Sequence, residues 1–105
     1  MTTANQKKSL KQENAGAKAF GGSRNVMSGA GWKNKNDVRT PDFSIEYKVT
    51  EKKSYSLKSK ELADAERYAL IDGRIMLFGV RMDDGRDWIV ISQEDFLDIL
   101  QMESL

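Results

Sequence analysis

Asp37-Val38-Arg39-Thr40-Pro41-Asp42-Phe43-Ser44-Ile45-Glu46-Tyr47-Lys48-Val49-Thr50 reads as a β-hairpin around which the rest of the chain can be placed. Its second half alternates with a period of two: Asp42, Ser44, Glu46 and Lys48 point to one face, and Phe43, Ile45, Tyr47 and Val49 to the other. The turn falls at Thr40-Pro41-Asp42-Phe43, where Pro41 presets its φ angle and Asp42 can bond to nearby backbone. Pairing across that turn sets Val38 opposite Ile45 and Asp37 opposite Glu46. Two carboxylates directly opposite each other on a sheet repel. A divalent cation between them would reverse the sign of that interaction. Lys48, two residues further on, shares the face of Glu46 and could act on whatever the cation holds.

The remaining composition narrows the chemistry. A chain of 105 residues allows one domain with a modest core, and 39% hydrophobic with 31% charged residues describes a soluble globular class. No apolar run approaches the ~20 residues of a transmembrane helix, and Met1-Thr2-Thr3-Ala4-Asn5-Gln6-Lys7-Lys8 lacks the apolar segment of a secretory signal. With no cysteine and no histidine, a disulfide framework, a zinc site and a Ser-His triad are set aside. Any metal must be held by oxygen, which points to Mg²⁺, with Mn²⁺ able to substitute. The net charge of +1 conceals an asymmetry: residues 1–60 carry 13 Lys and Arg against 5 Asp and Glu, and residues 61–105 carry 4 against 11. Such a basic half suits a polyanion, although the two halves could also neutralise each other across the fold.

In chain order, residues 1–5 are expected to form a loose, flexible arm. The spacing predicts a helix from Gln6 to Phe20 with Leu10, Ala17 and Phe20 on its inner seam. Glu13 occupies the missing position of that seam. It either faces the core, where a carboxylate needs a partner or a metal, or lies at the stripe's edge and reaches solvent. Gly21 and Gly22 end the helix. The following segment to Gly31 reads either as a flexible connector or as a loop gripping phosphates, with Arg24, Ser28, Lys33 and Lys35 as donors. It has no Walker-type ending, so a nucleotide-binding loop is not expected; no small-molecule cofactor is expected either. Lys52 and Lys53 are a solvated loop tip or further phosphate contacts, and Tyr55 stacks on a base or packs on the sheet. A helix is predicted over Lys58–Asp72, with Leu62, Ala65 and Ala69 inward and Gly73 as its stop. The apolar run from Arg74 to Met82 suits a central strand covered on both faces. Asp83–Asp87 forms a hairpin loop and Trp88–Ile91 its partner strand. Ser92 caps a last helix expected to bury Phe96, Leu97 and Leu100. The predicted order is α-β-β-α-β-β-α: an α/β fold with a mixed central sheet flanked by helices and the carboxylates at one edge of the sheet. The helix between Glu46 and Val80 is a crossover that would make their strands parallel neighbours.

Asp37 followed by Glu46-Tyr47-Lys48 on a strand resembles the PD-(D/E)xK nuclease superfamily. Asp42 competes for the first acidic position because Pro41-Asp42 spells the motif's nominal opening. Asp37 is preferred, since a turn residue cannot face Glu46 across a ladder. Glu13 on the first helix, Ser28-Gly29-Ala30-Gly31, Asn36-Asp37-Val38, Ile45–Thr50, Lys53–Leu57 and the Trp88 strand extend the likeness over roughly residues 10–92. Together they are similar to a small Holliday junction resolvase of the phage or archaeal kind. The resemblance implies a single domain over residues 1–105 with a restriction-endonuclease-like core. It also implies Mg²⁺-dependent hydrolysis of branched DNA, specifically a four-way junction, by a two-fold dimer. Asp37, Glu46 and the Tyr47 backbone carbonyl would hold the metal. Glu13 would bind a second ion or its water, and Lys48 would act on the attacking water or on charge at the phosphate. Lys48 could also be no more than the salt-bridge partner of Glu46. Arg24, Ser28, Lys33, Lys35, Lys52 and Lys53 would contact DNA. No membrane is implied, and the expected location is the cytoplasm, that of the host if the chain is phage-encoded.

Overall fold

The computed structural model describes residues 4–24 and 36–103. The hairpin forms in the expected register: β2 (Val38–Arg39) pairs antiparallel with β3 (Phe43–Val49), Val38 opposite Ile45 and Arg39 opposite Ser44. The side chain that closes the turn is Thr40, not Asp42. Thr40 Oγ1 accepts from the N–H groups of Phe43 at 2.9 Å and Asp42 at 3.3 Å, while the Thr40 N–H donates to the Phe43 carbonyl at 2.9 Å. Asp42 contributes its carbonyl, which accepts from the Ile75 N–H at 2.9 Å.

α2 (Ser59–Ile71) returns the chain to β4 (Ile75–Arg81), which lies parallel to β3 with seven residues paired, from Phe43 opposite Ile75 to Val49 opposite Arg81. This is the anticipated crossover: a helix is what parallel neighbours need between them. β5 (Asp87–Val90) then pairs antiparallel with β4. A further strand, β1 (Ser23–Arg24), pairs antiparallel with β2 and completes a sheet of order β1-β2-β3-β4-β5. With α1 (Ala4–Phe20) and α3 (Gln93–Glu103), the element order is α-β-β-β-α-β-β-α. The predicted order lacked β1, because two residues inside a Gly- and Ser-rich segment carry no alternation to read. α1 also begins before Gln6, so only residues 1–3 of the expected arm lie outside the described residues.

β4 is buried from Met76 to Val80, as its apolar run required. Toward α2, Met76, Phe78 and Val80 pack with Ala65 and Ala69, and Tyr55, Leu62, Met82 and Val90 close the margins. Toward α1, Leu77 packs with Val38, Ile45 and Tyr47, bordered by Ala17, Phe43 and Ile91. Each large side chain so buried contributes roughly 1.5–3 kcal/mol. The Tyr47 ring is accommodated because Gly16 and Gly79 have no side chain. A Cβ at Gly79 would lie 2.4 Å from the ring, and one at Gly16 would lie 2.1 Å from the hydroxyl. Glycine is ordinarily a weak strand residue, so Gly79→Ala would be stabilising if the space were open. The overlap instead predicts a loss of about 1–3 kcal/mol, read from the urea midpoint. An unchanged or higher midpoint would mean that Tyr47 does not occupy this channel.

Two expected packing faces are corrected. On α1, Leu10 and Phe20 are exposed, and the inner face is the fully buried Gln12 and the buried Gly16, with Glu13 and Ala17 half-buried beside them. The stripe has helical spacing but is polar and small, so hydrophobic periodicity placed Ala17 correctly against the core but turned the buried face too far toward Leu10 and Phe20. Gln12 is retained inside because its Nε2 donates to the Lys48 carbonyl at 3.0 Å and to Asp87 Oδ1 at 3.0 Å. On α3, Ser92 caps as expected, its Oγ accepting from the Asp95 N–H at 3.1 Å. Phe96, Leu97 and Leu100, however, stay 48%, 46% and 44% exposed. An amphipathic pattern shows that a face is apolar, not that this chain covers it. No described helix is long and apolar enough to cross a membrane.

Candidate functional site

β3 is the middle strand of the sheet, so Glu46 does not sit on an edge strand as expected. An edge is nevertheless present locally. The β2 ladder ends at Val38 opposite Ile45, so among the described residues no strand pairs with the second half of β3 on that side. Strand alternation directs the N–H and C=O of Tyr47 into this notch, on the same side as the Phe43 carbonyl that Thr40 engages. Asp37 fills the position of the missing strand: its Oδ2 accepts the Tyr47 N–H at 2.8 Å. Asp37 therefore stands beside Glu46, and the Tyr47 carbonyl opens toward the same space. Asp42 is at the other end of β3, four residues from Glu46, or about 13 Å along a strand.

The carboxylates crowd one another. Burial, then the Asp37 charge and a hydrogen bond to the Asp37 carboxyl, push Glu46 well above the ordinary carboxylate range, and Lys48 only partly offsets them. Glu13 reaches the same notch from α1. Burial and the Asp37 charge push it up to about 7, against a lowering contribution from Arg24. Of its two sequence readings, the inward one is what the fold adopts. Two carboxyls attract one another only through a shared proton or a cation. The donors present (three carboxylates and a peptide carbonyl) are the hard oxygen set that Mg²⁺ takes. As they stand, no group of three or more acidic side chains among the described residues is closed into a metal cage.

Lys48 shares the α2-facing side of β3 with Glu46, its Nζ 3.8 Å from Glu46 Oε2. Sequence reasoning missed its second partner, Glu61 in the first turn of α2, whose Oε2 lies 4.0 Å away. Tyr55 takes the packing alternative: its ring lies 6.3 Å from that of Phe78, and its hydroxyl donates to Glu61 Oε2 at 2.7 Å. Asn36 was also missed as a site residue. It is buried, and its Nδ2 donates to Ser44 Oγ at 2.8 Å and to the Ala65 carbonyl at 2.9 Å, which fixes the backbone immediately before Asp37. Asn36, Glu46, Lys48, Glu61, Asp64 and Tyr68 line a recess of about 220 Å³. Nothing local in the sequence joins Asn36 to Ala65 or Lys48 to Glu61, because those contacts exist only once α2 lies on the sheet.

Of the expected DNA contacts, Arg24 lies on β1 near Glu13, whereas Lys52 and Lys53 are exposed just beyond the C-terminal end of β3. The Arg24 position suits an internal counter-ion as well as a phosphate contact. Ser28, Lys33 and Lys35 lie outside the described residues. No protein-family model, curated protein or solved structure matches the chain.

Proposed function

We propose that the chain is a metal-dependent endodeoxyribonuclease that resolves four-way DNA junctions by paired phosphodiester hydrolysis in the cytoplasm. One observation carries the reading: Glu13, Asp37 and Glu46, separated in sequence, meet at a carbonyl-lined notch where Asp37 raises the proton affinity of both glutamates, with Lys48 alongside. Among the described residues three carboxylates share the notch with two cations, Arg24 and Lys48, an imbalance that a cation would relieve. The parallel β3–β4 pair with its α2 crossover is consistent with the restriction-endonuclease-like core that this reading entails.

Asp37, Glu46 and the Tyr47 carbonyl would hold Mg²⁺ or Mn²⁺, with Glu13 on a second ion or its water. Bound there, the ion would acidify a water and neutralise charge growing on the scissile phosphate. Lys48 orients or deprotonates that water, or stabilises the charge on the phosphate oxygens. A water oxygen bonds to phosphorus, the bridging P–O bond breaks, and the departing oxygen takes up a proton. Arg24, Lys52 and Lys53 meet phosphates without reading bases, so binding tolerates sequence and weakens steeply with salt.

A junction has two symmetry-related strands to cut, and one notch cuts one of them, which favours a two-fold homodimer. The exposed Trp88 and Ile89 on edge strand β5 and the apolar side chains of α3 offer a surface for it. Sedimentation as a monomer on the junction would remove the paired cut. The deciding experiment is cleavage of a labelled four-way junction beside a duplex of the same sequence, with Mg²⁺ and then Mn²⁺. Junction-selective paired nicks are expected. Equal cutting of both substrates would keep a nicking, repair or restriction-like nuclease and discard the junction. Binding without cutting would leave a DNA-binding module.

A further inference from the structure

Glu61 has an arrangement that helix formation alone does not require. A glutamate in the first turn of α2 is favourable beside the helix N-terminus, and a half-exposed lysine pair adds little stability. Neither accounts for Glu61 being pinned from behind. The Tyr55 hydroxyl donates to Glu61 Oε2 at 2.7 Å, and Tyr55 is itself fixed against Phe78 in the core. The same carboxylate oxygen lies 4.0 Å from Lys48 Nζ, and the Glu46 oxygen lies 3.8 Å from it, so Lys48 has one carboxylate partner from β3 and one from α2. A chain therefore runs from the core through Tyr55 and Glu61 to Lys48.

We propose that Glu61, held by Tyr55, is a positioning residue that keeps Lys48 aimed at the scissile phosphate once Glu46 is engaged elsewhere. The inference rests on the nuclease reading and deepens it. Glu46 cannot give its full charge both to a cation and to Lys48. When its oxygens turn toward the notch, the Lys48 ammonium loses its neighbour on β3. Without another anchor, a side chain with four rotatable bonds would swing into solvent or collapse onto the nearest phosphate. Glu61 belongs to α2 and is tied to Tyr55, so in this proposal its charge stays with Lys48 when Glu46 turns to the notch.

The test is single-turnover cleavage by the full chain, comparing the native protein with Glu61→Gln, Tyr55→Phe, Lys48→Ala and the Lys48→Ala/Glu61→Gln pair. Glutamine still accepts the Tyr55 hydroxyl but carries no charge. Glu61→Gln is expected to lower the cleavage rate about 10-fold, the lower end for loss of a group that orients a functional side chain, with DNA affinity unchanged. Tyr55→Phe should produce a smaller loss in the same direction. In the Lys48→Ala background, Glu61→Gln should cause no further loss, because the two act as one unit. A native rate in Glu61→Gln, or an equal loss with and without Lys48, would overturn the assignment. In the Glu46→Gln background, where the β3 charge beside Lys48 is gone, the order parameter of Lys48 ¹³Cε gives a readout that does not depend on cutting: it should fall when Glu61→Gln is added, and an unchanged value would overturn the positioning role. A native chain that cuts no DNA would sink the nuclease reading, and the Lys48 order parameter would still decide whether Glu61 holds the lysine.

Discussion

Glu46→Gln is expected to abolish Mg²⁺-dependent cleavage while making the metal-free protein more stable. The two effects share one cause. Glu46 is held close to Asp37 and within the influence of Glu13, and among the described residues Lys48 is what offsets them. Replacing its carboxyl with an amide removes the cost of taking up a proton on folding and leaves Asp37 a neutral neighbour able to donate a hydrogen bond. A gain of about 1 kcal/mol would raise the melting temperature by about 4–8 °C for a domain of this size. The same amide is a poor ligand for a hard cation. Losing several kcal/mol of transition-state charge stabilisation lowers the rate by about 10³-fold or more. Such opposition between stability and activity is what a site built from mutually repelling groups should show. Rate and melting temperature measured on one preparation test both halves. A variant that is less stable and still cuts would mean that Glu46 is an ordinary ion-pair residue. A variant that is more stable and cuts normally would separate the crowding from the chemistry.

In EDTA, the native protein should lose stability as pH rises from 5 to 8, and Mg²⁺ should restore it chiefly at pH 8. The direction follows from Glu13, whose carboxyl is pushed up from 4.5 to about 7 by burial and by Asp37. A carboxyl whose folded value is raised binds its proton more tightly in the folded state. Its contribution is therefore fully present below about pH 4.5 and is lost as pH climbs through 7. The upper limit from this group is about 3 kcal/mol, reduced by the water that reaches the open notch. Glu46 acts in the same direction and extends the decline to higher pH. A cation competes with those protons, so its stabilising effect should be small at pH 5 and large at pH 8. Urea midpoints at the two pH values, with and without Mg²⁺, provide the check, and Glu13→Gln should flatten the EDTA profile between them. Stability that rises with pH in EDTA would contradict the carboxylate crowding. A pH-dependent loss that Mg²⁺ leaves untouched would show crowding without a metal site.

Much of this arrangement was legible in the chain because it is local or periodic. The alternation from Phe43 to Val49, with Pro41 beside it, determined a hairpin whose register puts Val38 opposite Ile45 and brings Asp37 alongside Glu46. The unbroken apolar run of β4 determined a strand buried on both faces, and the helix before it determined a parallel partner. Three things were decided only by tertiary structure. β1 exists because β2 offers it an edge, and two residues cannot announce a strand by themselves. The buried side of α1 is Gln12 and Gly16, because a glutamine can bridge β3 to Asp87 and a glycine admits the Tyr47 ring. A hydrophobic count sees neither reason. Asn36 and Glu61 join the candidate site through Ala65 and Lys48 across the packed α2–sheet interface. Pattern along a chain reports which backbone and which face each residue adopts. The company a polar side chain keeps depends on hydrogen-bond geometry between distant segments, and that is settled only when they pack.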